Sequence, residues 1–111
     1  MLLFKPEHAL LILSGTKTQT RRIWKKPRAK VGSIHLAKLK MLSTDFFAKL
    51  EILDVHLERL GDISEEDARA EGYPNIFLYF KAFQRINHIT ENNFFGMLND
   101  LVYVVKFKVI L

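Results

Sequence analysis

This sequence predicts a β-rich α+β fold, a small curved β-barrel flanked by short helices. Three observations lead there. Five stretches read as strands, all of them short and set apart by turn residues. Helices over 6–14 and 64–71 carry recognisable start and stop signals, and a third over 76–87 shows apolar residues at helical spacing. The 111 residues, 49% of them apolar with nine Phe, suffice to bury one core of a size typical for a single domain. We therefore treat residues 1–111 as one domain.

The elements follow in order. Met1-Leu2-Leu3-Phe4 reads as a short buried strand. Pro6 suits the first turn of a helix, where its missing N–H costs nothing, and Gly15 suits the left-handed position just past the end. Between them Ala9, Leu10, Ile12 and Leu13 recur at helical spacing, giving a helix over residues 6–14. Thr18, Thr20, Ile23 and Trp24 favour extended structure, so a strand spans Lys17–Trp24 and ends in a loop at Pro27. Residues 31–37 resume as a strand, with Gly32 at a turn or bulge. Residues 47–58 form a fourth strand with loose alternation. Ser64 caps a helix over 64–71 with Glu65, Glu66 and Asp67 in its first turn, where the helix dipole favours acids, and Gly72 stops it. A further helix covers 76–87. The run Leu101 to Val109, rich in β-branched residues, closes the chain as a strand.

Composition narrows the function. The chain has no cysteine, which excludes disulfides, thiol catalysis and Cys-based zinc sites and makes a reducing cytoplasm the expected compartment. Its four His residues show no metal-ligand spacing, so no metal and no cofactor is expected. No apolar run approaches the ~20 residues that span a bilayer, and Lys5, Glu7 and His8 break any signal-peptide pattern at the start. Charge is lopsided: residues 1–40 carry ten Lys and Arg against Glu7 alone, a balance of +9, and residues 41–111 carry seven against eleven acids, a balance of −4. Between residues 17 and 30 the bases are Lys17, Arg21, Arg22, Lys25, Lys26, Arg28 and Lys30, with no acid among them. Lysine and arginine displace condensed counterions from a polyanion, so this ribbon fits RNA or a nucleotide. It fits a solvated loop equally well. The acidic second half offers a surface for a protein partner.

The phrase Leu11-Ile12-Leu13-Ser14-Gly15-Thr16-Lys17-Thr18-Gln19-Thr20-Arg21-Arg22 resembles the opening signature of the ASCH domain, a small family with a PUA-like barrel. Three landmarks follow in family order: Lys30-Val31-Gly32, then Asp62 to Tyr73, then Val102-Tyr103-Val104-Val105-Lys106-Phe107. The resemblance spans nearly the whole chain. It implies a cleft lined by Lys17–Arg22 and faced by the Glu71 end of the central helix. It also implies RNA binding, in proteins linked to transcription coactivation, translation or RNA processing. Some small relatives are amidohydrolases that deacylate acetylated cytidine nucleosides, and a ribonuclease activity is known for others. The amidohydrolase constellation of lysine, threonine and glutamate matches Lys17, Thr20 and Glu71 here. Where relatives often carry an acid after Val-Gly, this chain has Ser33, so a loop-ordering role for that acid is lost.

Each candidate has two readings. Glu71 serves catalysis, or pairs with Arg21 or Arg22 as a structural ion pair. Thr18 and Thr20 contact ligand, or are simply good strand formers. Trp24 stacks a base, or plugs the barrel end. Lys17 acts as a base only if burial and like charges favour its neutral amine, and a threonine hydroxyl attacks only once a base takes its proton. Lys17 and Thr20 stand three residues apart, so an ideal strand turns them to opposite sides and an irregular segment after Gly15 is needed to bring them together. The reading is thus an RNA- or nucleotide-binding cleft made by Lys17, Thr18, Thr20, Arg21, Arg22, Trp24, Lys25, Lys26, Arg28 and Lys30. The alternative is a hydrolase centred on Lys17, Thr20 and Glu71.

Overall fold

The computed structural model describes residues 1–110. Five strands form one sheet: β1 (Leu2–Leu3), β2 (Gln19–Arg22), β3 (Ile34–Lys38), β4 (Ala48–Arg59) and β5 (Leu101–Ile110). Their order is β1-β3-β4-β5-β2. The β1–β3 pair is parallel and the other pairs are antiparallel. Four α-helices flank the sheet: α1 (Pro6–Leu13), α2 (Glu65–Ala70), α3 (Ile76–Ile86) and α4 (Phe94–Leu98).

All five expected strands are present, with different ends. β2 is shorter than the Lys17–Trp24 expectation, since only Gln19–Arg22 find partners on β5. β3 begins at Ile34 rather than at residue 31, because Gly32 sits in the left-handed region (φ +88°). Its amide donates to the Ile52 carbonyl while Ile52 donates back to Ser33. Ser33 also orders this turn: its hydroxyl donates to the Lys30 carbonyl at 2.6 Å and bonds the His35 Nε2 at 3.1 Å. Where relatives often carry an acid, the serine supplies local side-chain-to-backbone bonds of its own.

β4 and β5 make the longest ladder, interrupted by a register shift at Leu53. Such a bulge bends and twists the strand. It divides the interior in two. Leu50 and Ile52 from before the shift pack with Ile12, Val105, Phe107 and Phe4 inside the curl of the sheet. Beyond it, Leu60, Ile63, Ala68, Tyr79, Phe83, Met97 and Val102 form a second cluster under α2, α3 and α4.

The sheet curls until its two edge strands approach. They are joined by a side chain rather than a ladder: Arg22 on β2 donates from Nη2 to the Leu3 carbonyl of β1 at 2.6 Å, and its guanidinium lies 4.8 Å from the Phe4 ring centroid. No helix among the described residues is long and apolar enough to cross a membrane.

Candidate functional site

A cleft of about 350 Å³ opens where the two edge strands meet, bounded by α1, the end of α2 and one face of α3. Consecutive residues Thr20, Arg21, Arg22 and Ile23 all line it. Neighbouring side chains on a strand point to opposite faces, so such a run can border one cavity only along the open margin of an edge strand. The same-face bonds agree. The Arg21 Nη1 donates to Gln19 on one face, and the Arg22 Nε donates to the Thr20 hydroxyl at 3.1 Å on the other.

Local structure explains how Lys17 and Glu71 arrive there. Ser64 caps α2 by accepting from the Asp67 amide at 3.0 Å, and the helix ends at Glu71 before Gly72, which has φ +103°. A Cβ on Gly72 would lie 2.9 Å from a Leu11 methyl and 3.8 Å from the Lys17 Cβ. Glycine therefore supplies both the left-handed turn and the close approach of α2 to the segment after α1. Backbone bonds complete the junction: Lys17 donates to the Leu11 carbonyl and Thr18 to the Ala70 carbonyl. The Lys17 ammonium then reaches the α2 C-terminus, donating to the Glu71 carbonyl at 2.8 Å and to its Oε1 at 3.2 Å. A cation here also meets the negative end of the helix dipole.

Glu71 is only 2% exposed and holds two cations, since its Oε2 accepts from the Arg21 Nη1 at 2.9 Å. Arg21 is fully engaged on its outer edge, where Nη2 meets Glu58 at 3.1 Å and Asp67 at 3.4 Å. Three acids of the acidic half thus turn inward onto the basic segment, so part of the charge asymmetry is complementarity within the chain. Burial lowers the pKa of Lys17, with Glu71 opposing it and Arg22 and Arg21 adding to the shift. Burial pushes Arg21 the same way, but Glu71 and Glu58 outweigh it and its pKa rises. Arg22 is lowered by burial, with Glu71 and Tyr79 opposing. It makes no ion pair among the described residues.

The expected residues therefore divide. Lys17, Thr20, Arg21, Arg22 and Glu71 share the cleft. Lys17 and Thr20 meet in it as residues of opposite parity beside an edge strand, with Lys17 in the irregular stretch before β2, and no hydrogen bond joins them among the described residues. Thr18 is exposed outside the cleft. Trp24 is half-buried against the sheet core and 6.0 Å from the Tyr103 ring. Lys25, Lys26, Arg28 and Lys30 are exposed on the following loop and do not line the cleft.

Five further residues belong to the site or support it and were not among the binding residues expected from sequence. His8 and Tyr73 line the cleft and share a 2.7 Å hydrogen bond. Burial, then the Lys17 charge, lowers the pKa of His8 to about 4. Burial raises Tyr73 to about 12. Tyr79 and Phe83 supply the α3 wall, and Gln19 steadies Arg21. Only the Gln19 spacing, two residues before Arg21 on the same strand face, was available as a signal. No group of three or more His, Asp and Glu residues suited to a metal occurs among the described residues.

This curled five-stranded sheet with its flanking short helices is similar in fold to a solved ASCH domain. It superposes on the crystal structure of the ASCH domain from Lactobacillus crispatus with a TM-score of 0.69 at 21% identity, covering 91% of this chain and 69% of that one. Protein EF3133 from Enterococcus faecalis, assigned to the family DUF984, superposes with a TM-score of 0.67 at 16% identity over 99% of this chain and 82% of that one. The hypothetical protein PH0355 gives 0.69 at 14% identity over 96% and 94%. No protein-family model and no curated protein matches the chain.

Proposed function

We propose that this cleft binds a nucleotide unit, free or as part of an RNA. The observation that carries the reading is Arg22, a guanidinium on the cleft wall with no carboxylate partner among the described residues, in a cleft that Phe4, Tyr73, Tyr79 and Phe83 also line. An unpaired cation beside aromatic surface suits a ligand with an anionic end and a flat ring. The cavity volume lies in the lower range for small-ligand sites, so one nucleotide is its natural occupant. A longer strand would continue over Lys25, Lys26, Arg28 and Lys30, on the loop that leaves β2.

The test is titration of a short labelled RNA into the protein at several salt concentrations, with competition by mononucleotides. We expect the affinity to fall with salt, with a log–log slope of ~0.7 per phosphate contacted. Alanine at the four loop cations should flatten that slope, while Arg22→Gln should weaken competition by mononucleotides. Salt-independent binding, or competition untouched by Arg22→Gln, refutes the reading.

A second reading is hydrolysis of an acylated nucleoside, and Lys17 is the reason to keep it. Its depressed pKa brings the neutral amine nearer, and Thr20 borders the same cavity with its hydroxyl hydrogen uncommitted, since it accepts from Arg22. In that reaction the Thr20 oxygen would attack the acyl carbon as Lys17 takes its proton. Lys17, now protonated, would give that proton to the departing amine while Glu71 orients it, and water would then release the acid. Incubation with acetylated cytidine decides it. Turnover lost in both Lys17→Ala and Thr20→Ala supports the reading, and absence of turnover in the natural sequence ends it.

A further inference from the structure

Two residues past the end of β2 stands Trp24, the one tryptophan of the chain. Its ring packs against the first core cluster and stays partly exposed. Tyr103 of β5, also partly exposed, lies beside it, with ring centroids 6.0 Å apart and planes tilted by 37°. At that separation neither ring covers the other face to face. A plug for the barrel end would be sealed, and this end of the sheet is open. Tyr103 stands opposite Arg22 on β2 and opposite Leu57 on β4, so the three side chains share one face across three strands. Leu57 is 52% exposed, and Leu101, two residues before Tyr103 on that face, is 62% exposed.

Charge beside this patch is one-sided. Lys25, Lys26 and Arg28 follow Trp24 in the chain, are exposed, and make no ion pair among the described residues. No acid occurs from His8 to Thr44, and Glu58, next to Leu57, turns to the other face of the sheet and meets Arg21. Free cations beside two aromatic rings fit a partner that alternates phosphates with flat rings. An anionic polymer without rings would meet the cations and leave the aromatic pair exposed. Arg22 joins the two regions, for it lines the cleft and is the register partner of Tyr103.

We propose that Trp24 and Tyr103 form a stacking platform for an unpaired base outside the cleft, and that the ligand is single-stranded RNA rather than a free nucleotide. The proposal rests on the nucleotide reading above and names the polymer. One residue of the strand occupies the cleft beside Arg22, a neighbouring base lies on the platform, and the backbone runs on along Lys25, Lys26 and Arg28. A duplex is excluded, because its bases are paired and stacked on one another. Every base has a π-face, so the platform accepts any of them, and sequence preference has to come from the cleft.

The experiment titrates the whole chain with a short oligouridylate, the same strand annealed to oligoadenylate, uridine monophosphate, and heparin as a polyanion without bases. Because Trp24 is the one tryptophan, its emission reports the platform directly, while anisotropy of end-labelled RNA gives affinity. Trp24→Leu, Trp24→Phe and Tyr103→Leu are run beside the natural sequence, with thermal melts as a control. The single strand is expected to quench Trp24 emission, and the monophosphate, held in the cleft, to leave it unchanged. Trp24→Leu should weaken the single strand about five- to a hundredfold, as loss of one stacking aromatic does, and Trp24→Phe should recover most of that. Leu and Phe fill similar space, so a plug would treat them alike and a stack would not. Tyr103→Leu should weaken both binding and quenching, and it carries the test if Trp24→Leu lowers the melting temperature. Equal losses with Leu and Phe at position 24, or equal binding and quenching by the duplex, by heparin or by the monophosphate, overturn the platform. RNA that binds all four proteins alike and leaves the emission unchanged overturns it while the nucleotide reading stands. Quenching by the single strand that Tyr103→Leu weakens, with no competition by the monophosphate, keeps the platform and ends the cleft reading. Binding of none of these probes overturns both.

Discussion

Glu71→Ala is expected to destabilise the fold by about 3–5 kcal/mol, the usual consequence of deleting one member of a buried ion pair. The Arg21 side chain is fully buried and the Lys17 side chain nearly so, and Glu71 is the carboxylate they share. The damage falls mainly on Lys17. Arg21 keeps Glu58 and Asp67, whereas Lys17 keeps only the Glu71 backbone carbonyl at 2.8 Å. The sign of the pH dependence follows. With Glu71 gone, the attraction that opposed burial is lost, so the folded-state pKa of Lys17 drops further below its ordinary value of 10.5. Between those two values the unfolded chain holds a proton that the folded chain has released, so stability rises with pH across that window. Urea denaturation at pH 7 and at pH 9.5 checks this, and the loss should be smaller at the higher pH. Lys17→Met combined with Glu71→Leu should cost less than Glu71→Ala alone, because no uncompensated charge remains. A cost below about 1 kcal/mol for Glu71→Ala would place the carboxylate among surface ion pairs and remove the basis for a dry, pre-built site.

The parts of this arrangement that the sequence showed were those decided locally. Leu101 to Val109 is strand because its β-branched and aromatic residues fit a pleated surface, and Ser64 starts a helix because its hydroxyl accepts from Asp67 in any context. The five cleft residues Lys17, Thr20, Arg21, Arg22 and Glu71 were legible through a motif and a helix end. What was not legible depended on docking. Phe94–Leu98 is a five-residue helix with no side-chain cap, too short to show a period, and the 3-10 turns at Leu60–Asp62 and Glu91–Asn93 are of the same kind. The basic run looked continuous, yet it divides after Arg22, where the chain leaves the sheet and the remaining cations face outward. His8, Tyr73 and Tyr79 come from three elements distant in sequence, and nothing in their spacing brings them to one wall. The acidic half looked like an outward surface. In Glu58, Asp67 and Glu71 it holds the acids that keep the basic segment in place.

Acid should weaken the fold through His8, by ~2–4 kcal/mol between pH 7 and pH 4 from this one group. Burial is the main cause of its depressed pKa, near 4, and Lys17, Arg22 and Arg85 add to it while Glu7 opposes. The other group against the ring is Tyr73, which keeps its proton throughout this range because its own pKa lies near 12. The neutral imidazole and the phenol share one hydrogen across their 2.7 Å contact. Above pH 6.5 the imidazole is neutral in both states and costs nothing. As pH falls from 6.5 towards 4 the unfolded chain takes up a proton that the folded chain does not, so stability is lost across that window, and below 4 the loss levels off. Carboxylates add their own acid sensitivity, so the comparison is between the natural sequence and His8→Gln, each unfolded in urea at pH 7.5 and 4.5. The difference between the two pH values should be smaller in the variant by the amount given, whatever the variant's absolute stability. Proton NMR of the imidazole gives the direct reading, with a midpoint well below 6.5 expected. A midpoint at or above 6.5, or equal acid sensitivity in the two proteins, would mean that protonated His8 is tolerated in the cleft. It would then add charge to the cleft wall in the pH range where ligand binding is measured. With the depressed value, His8 adds no positive charge to the wall at pH 6 to 8, and the cations lining the cleft are Lys5, Lys17, Arg21 and Arg22.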